Sequence, residues 1–185
     1  QKLAGNFRYI EKFDKFILVT IHRRESFGSD LIEICCALRD LSKTNSKISL
    51  VIPVHLNPNV RGVIYEYLND IHNIFLIEPL DYPSFVYLMK KCYFIITDSG
   101  GVQEEAPSFG KPVLVLRDVT ERPEGIKAGC LELVGTSKNA ILDSANELLF
   151  NNDKYNLMSK VDNPYGDGLA SQRIINYISS IRNEY

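Results

Sequence analysis

The sequence predicts an α/β protein built on a doubly wound parallel sheet, and three observations predict it. Short apolar runs alternate with segments of helical spacing along almost the whole chain. The runs are continuously apolar, as strands buried on both faces should be. The polar and glycine-rich clusters fall just after the runs, where such sheets place their ligands.

The first run is Phe16-Ile17-Leu18-Val19-Thr20-Ile21. Leu31, Ile34, Cys35, Leu38 and Leu41 then recur at helical spacing. Ile48 to Ile52 is a second strand, stopped by Pro53, and Asn57-Pro58-Asn59 caps a helix over Val60–Leu68. Ile74 to Ile77 reads as the third strand and Tyr82 to Lys91 as a helix. The fourth strand is Tyr93–Thr97, followed at once by Asp98-Ser99-Gly100-Gly101. Val113–Leu116 and Leu131–Val134 are the fifth and sixth. Helices close the chain at about 138–150, 153–161 and 168–182, and Asn163-Pro164-Tyr165-Gly166-Asp167-Gly168 forms a hinge-like break. Strands alternating with helices imply right-handed crossovers.

Composition narrows the function. The 21 basic and 23 acidic residues give a net charge of −2, so nothing points to nucleic acid. An anion site must be local. Cys35, Cys36, Cys92 and Cys130 show no CxxC spacing, so no zinc ribbon or redox motif is expected, and free thiols in a reducing compartment are. No apolar run approaches the roughly 20 residues of a membrane span. The chain is expected to be soluble and cytoplasmic. Its start at Gln1-Lys2-Leu3, without Met, reads as a piece of a longer protein.

Four clusters carry chemistry. In Ser99-Gly100-Gly101, glycines let a backbone approach phosphates, and amides at a helix start hold the anion. The alternative is a plain tight turn capped by Ser99. Glu105, one turn on, suits ribose hydroxyls, whereas Glu104 reads better as a solvated or helix-start charge. His22-Arg23-Arg24-Glu25 follows the first strand and suits a diphosphate or carboxylate, with one arginine left to pair with Glu25. His55 follows the second strand and, taken alone, reads as a structural group. Pro123 at a helix start places Arg122 at the cap, in reach of the anion at Gly100 and Gly101. Arg117 and Glu121 read equally well as a local ion pair. Phe85 is either core or a wall for a flat base.

Long runs tie these clusters together: Val19–Gly28, Pro53–Arg61, Thr97–Pro107, Gly110–Leu114, Thr120–Glu124 and Asn163–Gly168. In this order they resemble the non-hydrolysing UDP-N-acetylglucosamine 2-epimerases. The likeness runs from about Phe16 to the C-terminus.

The resemblance implies the C-terminal, Rossmann-like domain of a two-domain, glycosyltransferase-B-like architecture. Residues 1–185 would then be one nucleotide-sugar domain, and 164–185 a helix packing on the missing N-terminal domain. The family converts UDP-GlcNAc to UDP-ManNAc through elimination and re-addition of UDP, with no cofactor and no metal. By this likeness Ser99, Gly100 and Gly101 hold the diphosphate and Glu105 the ribose. Arg122 and His22 face the nucleotide, His22 in a supporting catalytic role, and Phe85 with the backbone near Leu80 lines the uracil pocket. Arg23, Glu25 and His55 match a second, regulatory UDP-GlcNAc site, which raises the standing of His55. The carboxylates for proton transfer belong to the other domain, so the piece alone would be inactive. The family is typically dimeric through that domain. Three rivals remain at this stage: a hydrolysing epimerase, a UDP-sugar glycosyltransferase, and a non-enzymatic nucleotide-sugar sensor.

Overall fold

A computed structural model describes residues 7–22, 28–44 and 46–182. Among the described residues six parallel strands form one sheet: β1 (Lys15–Thr20), β2 (Ile48–Pro53), β3 (Ile74–Ile77), β4 (Ile95–Thr97), β5 (Val113–Val115) and β6 (Leu131–Leu133). Their order across the sheet is β3-β2-β1-β4-β5-β6. The chain winds outward from β1 to one edge, returns, and inserts β4 against β1. The β1/β4 seam is therefore the point where strand order reverses, the usual ligand position in such sheets.

The helices are α1 (Ser29–Thr44), α2 (Pro58–Leu68), α3 (Tyr82–Lys91), α4 (Gly100–Glu105), α5 (Pro123–Ala128), α6 (Lys138–Phe150), α7 (Asn152–Ser159) and α8 (Ala170–Arg182). Successive strand residues point to opposite faces, and both faces are covered. Ile17, Val19, Leu50, Ile52, Ile96 and Leu114 belong to one apolar cluster with α1, α2 and α6. Leu18, Val51, Ile95, Val113 and Val115 belong to the other, with Leu88, Met89 and Val102. This two-sided burial explains why the strands read as unbroken apolar runs. All five apolar positions expected in the first long helix, Leu31 to Leu41, are fully buried in α1.

Several ends differ from the sequence reading. The strand β4 begins at Ile95 rather than Tyr93, although Tyr93 N already donates to Phe16 O at 2.7 Å on the β1 side. Pro112, which precedes β5, has no N–H to extend the ladder and only accepts from Ile95 N, at 3.0 Å. β5 stops at Val115 because Arg117 N closes a three-residue turn onto Val115 O, at 2.8 Å. Pro53 lies within β2 as its last residue, opposite Ile77. After α4 the chain tightens into a 3-10 turn over Ala106–Phe109, ended by Gly110 at φ 62°. Among the described residues, no helix is long and apolar enough to cross a membrane.

Candidate functional site

The ends of β1 and β4 are knitted together before any charged group is added. Thr20 and Thr97 are in register, and their hydroxyls meet at 2.5 Å. Thr97 Oγ1 also accepts from Ser99 N at 2.9 Å, which bends the chain out of β4. Asp98 is fully buried and holds His22 twice. His22 N donates to Asp98 Oδ2 at 2.8 Å, and His22 Nδ1 lies 2.8 Å from Asp98 Oδ1. A carboxylate facing Nδ1 fixes the hydrogen there and sets the orientation of the ring. The imidazole is 42% exposed and stands at the strand-order reversal.

Ser99 caps α4: Val102 N donates to its Oγ at 3.5 Å, the capping alternative of the sequence reading. Gly100 and Gly101 open the helix. Neither has a positive φ. A Cβ at Gly100 would meet only Arg122 Nη2, at 3.8 Å, and one at Gly101 would meet nothing within 4 Å. The fold does not require glycine at either position, although glycine weakens a helix by roughly 0.5–1 kcal/mol relative to alanine.

Arg122 is the N-cap of α5, as the sequence implied, and its guanidinium reaches over the glycine turn. Its Nε donates to Glu104 Oε1, and its Nη1 to Glu121 O at 3.1 Å. Glu104 is therefore not the solvated bystander that the sequence suggested: its carboxylate orients the arginine. Arg117 pairs with Glu121 at 3.0 Å, the local ion pair given as an even alternative.

Gln103 went unnoticed in the sequence. It is fully buried, its Nε2 donates to Ser99 O at 3.2 Å, and its Oε1 accepts from Thr120 Oγ1 at 2.6 Å. Thr120 Oγ1 accepts in turn from Arg122 N at 3.0 Å. One amide thus links the glycine turn to the arginine loop. A glutamine inside a run of polar residues carries no sequence mark of burial.

Glu105 Oε2 accepts from Tyr82 Oη at 3.0 Å, and this carboxylate raises the pKa of the phenol. Leu80 and Phe85 are partly buried and pack against the α3-side apolar cluster, so Phe85 is at least in part core. His55 lies beside His22, with ring centroids 6.2 Å apart, and its Nδ1 accepts from Asn57 N at 3.1 Å. Arg23 and Glu25 lie outside the described residues. Among the described residues, no group of three His, Cys, Asp or Glu is placed to hold a metal ion.

A cavity of about 410 Å³ lies at the opposite, amino end of the strands, between Phe7, Phe16, Tyr87, Tyr93 and Tyr155. None of the clustered polar residues line it.

Comparison with known proteins identifies the family. Residues 2–179 match the family model described as UDP-N-acetylglucosamine 2-epimerase. The chain belongs to the UDP-N-acetylglucosamine 2-epimerase family. It is 52% identical over 179 residues to the UDP-N-acetylglucosamine 2-epimerase of Campylobacter jejuni, which covers 97% of this chain and 47% of that relative. The co-structure of S. aureus MnaA with UDP superposes with a TM-score of 0.91 at 48% identity, covering 99% of this chain and 49% of the other. The Neisseria meningitidis UDP-GlcNAc 2-epimerase, bound to UDP-GlcNAc, gives a TM-score of 0.92 at 46% identity, covering 97% and 48%. The chain spans about half the length of the curated relatives it matches.

Proposed function

We propose that this chain is the C-terminal, UDP-binding half of an enzyme that interconverts UDP-GlcNAc and UDP-ManNAc without hydrolysis. One observation carries the reading: two helix-opening glycines that the fold does not need lie beneath an arginine at the strand-order reversal. A phosphate is the ligand that requires both bare backbone amides and a cation. The relatives solved with UDP and with UDP-GlcNAc support the choice of nucleotide.

In this reading Ser99, Gly100 and Gly101 hold the diphosphate, with Arg122 above them. Glu105 accepts from the ribose hydroxyls, for which Tyr82 stands in here. Leu80 and Phe85 border the uracil, and Arg23, Glu25 and His55 belong to a second, regulatory nucleotide-sugar site. The chemistry divides between two domains. A base takes the proton from C2, a C1=C2 double bond forms, and the C1–O bond breaks with its electron pair on the UDP oxygen. UDP then returns to C1 as a proton is delivered to the opposite face of C2, which inverts that centre. Donors on the diphosphate stabilise the charge that develops on leaving UDP. His22, held by Asp98, supports that end of the reaction. The C2 proton chemistry needs carboxylates on the sugar, and these come from the missing N-terminal domain. The exposed apolar face of α8 packs on that domain, and dimerisation of the full-length protein uses it as well.

Isothermal calorimetry tests the site: UDP binds the 185-residue chain, and Gly101→Asp abolishes binding by placing a carboxylate at the anion position. Product analysis tests the activity. Turnover by this chain alone sinks the two-domain division, free ManNAc from the full-length protein indicates a hydrolysing enzyme, and sugar transfer to an acceptor indicates a glycosyltransferase.

A further inference from the structure

The loop that carries Arg122 is held from a second side, by a residue 43 positions later. Tyr165 Oη donates to Arg122 O at 3.1 Å and accepts from Gly125 N at 3.0 Å. The amides of a helix's first turn lack intrahelical partners, and Arg122 provides no side-chain cap to α5. The phenol supplies the missing acceptor and at the same time pins the N-cap carbonyl. Gly125 makes the space for it. A Cβ there would lie 2.5 Å from the phenol oxygen and 2.7 Å from Leu131 Cδ1, at a backbone conformation that does not itself call for glycine. Burial raises the Tyr165 pKa, which keeps the hydroxyl a donor through the neutral range.

Tyr165 is itself aimed. Its N–H donates to Asn163 Oδ1 at 3.0 Å, and Asn163 Nδ2 donates to Ser108 Oγ at 2.6 Å and Glu104 O at 3.3 Å. Glu104 holds the Arg122 side chain. The Asn163–Tyr165 segment therefore braces both the backbone of Arg122 and the backbone of Glu104, whose carboxylate orients its head.

We infer that Tyr165 is a positioning residue that sets the Arg122 guanidinium over the Gly100 turn and thereby fixes affinity for the diphosphate of a nucleotide. The inference rests on the reading of that turn as a diphosphate grip, so its test has an arm that needs no nucleotide. In the 185-residue chain, Tyr165→Phe removes one oxygen and keeps the ring. The ¹⁵N cross-peak of Arg122 Nε–H, assigned by its loss in Arg122→Lys, is expected to move in Tyr165→Phe without ligand. An unmoved peak overturns the inference. With ligand, the variant is expected to bind UDP about five- to tenfold more weakly and uridine, followed by NMR titration, equally well. Equal weakening of both, or of neither, also overturns it. In an Arg122→Lys background the Tyr165→Phe effect on UDP should shrink below about twofold. Full additivity would show that the two residues act separately and so count against the inference. Gly125→Ala, which displaces the phenol by crowding the ends of two flexible side chains, should reproduce the pattern if Tyr165→Phe folds poorly. If the parent chain binds no UDP, the diphosphate reading fails, and the Arg122 cross-peak alone decides whether Tyr165 positions it.

Discussion

On the proposed diphosphate reading, Gly100 and Gly101 set stability against binding. Each sits in ordinary helical space with room for a methyl group, so Gly100→Ala and Gly101→Ala should stabilise the fold by roughly 0.5–1 kcal/mol per site. The same methyl groups would obstruct the approach of a phosphate to the amides. Urea denaturation and UDP calorimetry on the same samples should therefore move in opposite directions, and a joint loss of both would mean that the glycines serve the fold. Residue-level legibility followed chemistry type. Glycine, arginine and proline announced themselves at Gly100, Gly101, Arg122 and Pro123, because each is unusual where it stands. Asp98 and Gln103 did not, because a polar residue in a polar run looks outward-facing until its neighbours are placed. Burial makes Asp98 the anchor of His22 and Gln103 the bridge to Thr120. The role of Glu104 changed for the same reason: its partner, Arg122, is 18 residues away.

At the level of elements, the apolar runs located all six strands and the helical spacings located the long helices, because two-sided burial writes itself into sequence. Strand ends were less legible, since they depend on distant partners such as Pro112, just before β5. Buried polar ties between elements were not legible at all. Asn73 is fully buried, and its Nδ2 donates to Ser42 O at 2.8 Å and Ile48 O at 3.0 Å. It joins the end of α1 to the starts of β2 and β3. Asn73→Ala strands two buried carbonyls and should cost about 1–3 kcal/mol by urea denaturation. The opposite expectation holds for α8. Its residues 170–181 are all exposed, including Ile174, Ile175, Tyr177 and Ile178. Removal of residues 169–185 should leave the unfolding temperature of this chain within about 2 °C, since surface changes away from packed features are usually near neutral. A larger fall would show that α8 already packs on this domain.

Across the whole molecule, burial controls both thiol chemistry and alkaline stability. Cys35, Cys92 and Cys130 are buried, whereas Cys36 is partly exposed. A disulfide reagent such as DTNB should therefore label Cys36 alone in the native protein and all four thiols in denaturant. Burial pushes the Cys35 and Cys92 thiols up to about 12 from an ordinary 9.0, and the Tyr155 phenol up to about 12 from 10.0. These groups stay protonated in the folded state while the unfolded chain ionises first. The stability they contribute is complete below about pH 9 and is lost as pH climbs toward 12. A pH series of thermal melts should be flat across neutrality and then fall through that window. The strand order also dictates when the site can exist. β1, β2 and β3 are consecutive in sequence and adjacent in space, so the first half of the sheet can assemble from neighbouring chain. His22, at the end of β1, must wait for Asp98, 76 residues later, to be delivered by β4. During synthesis the polypeptide therefore acquires much of its core well before the His22–Asp98 pair can form. On the proposed reading, nucleotide affinity becomes a late signal that both halves of the sheet have met, and a chain stalled before β4 would be partly folded yet blind to its ligand.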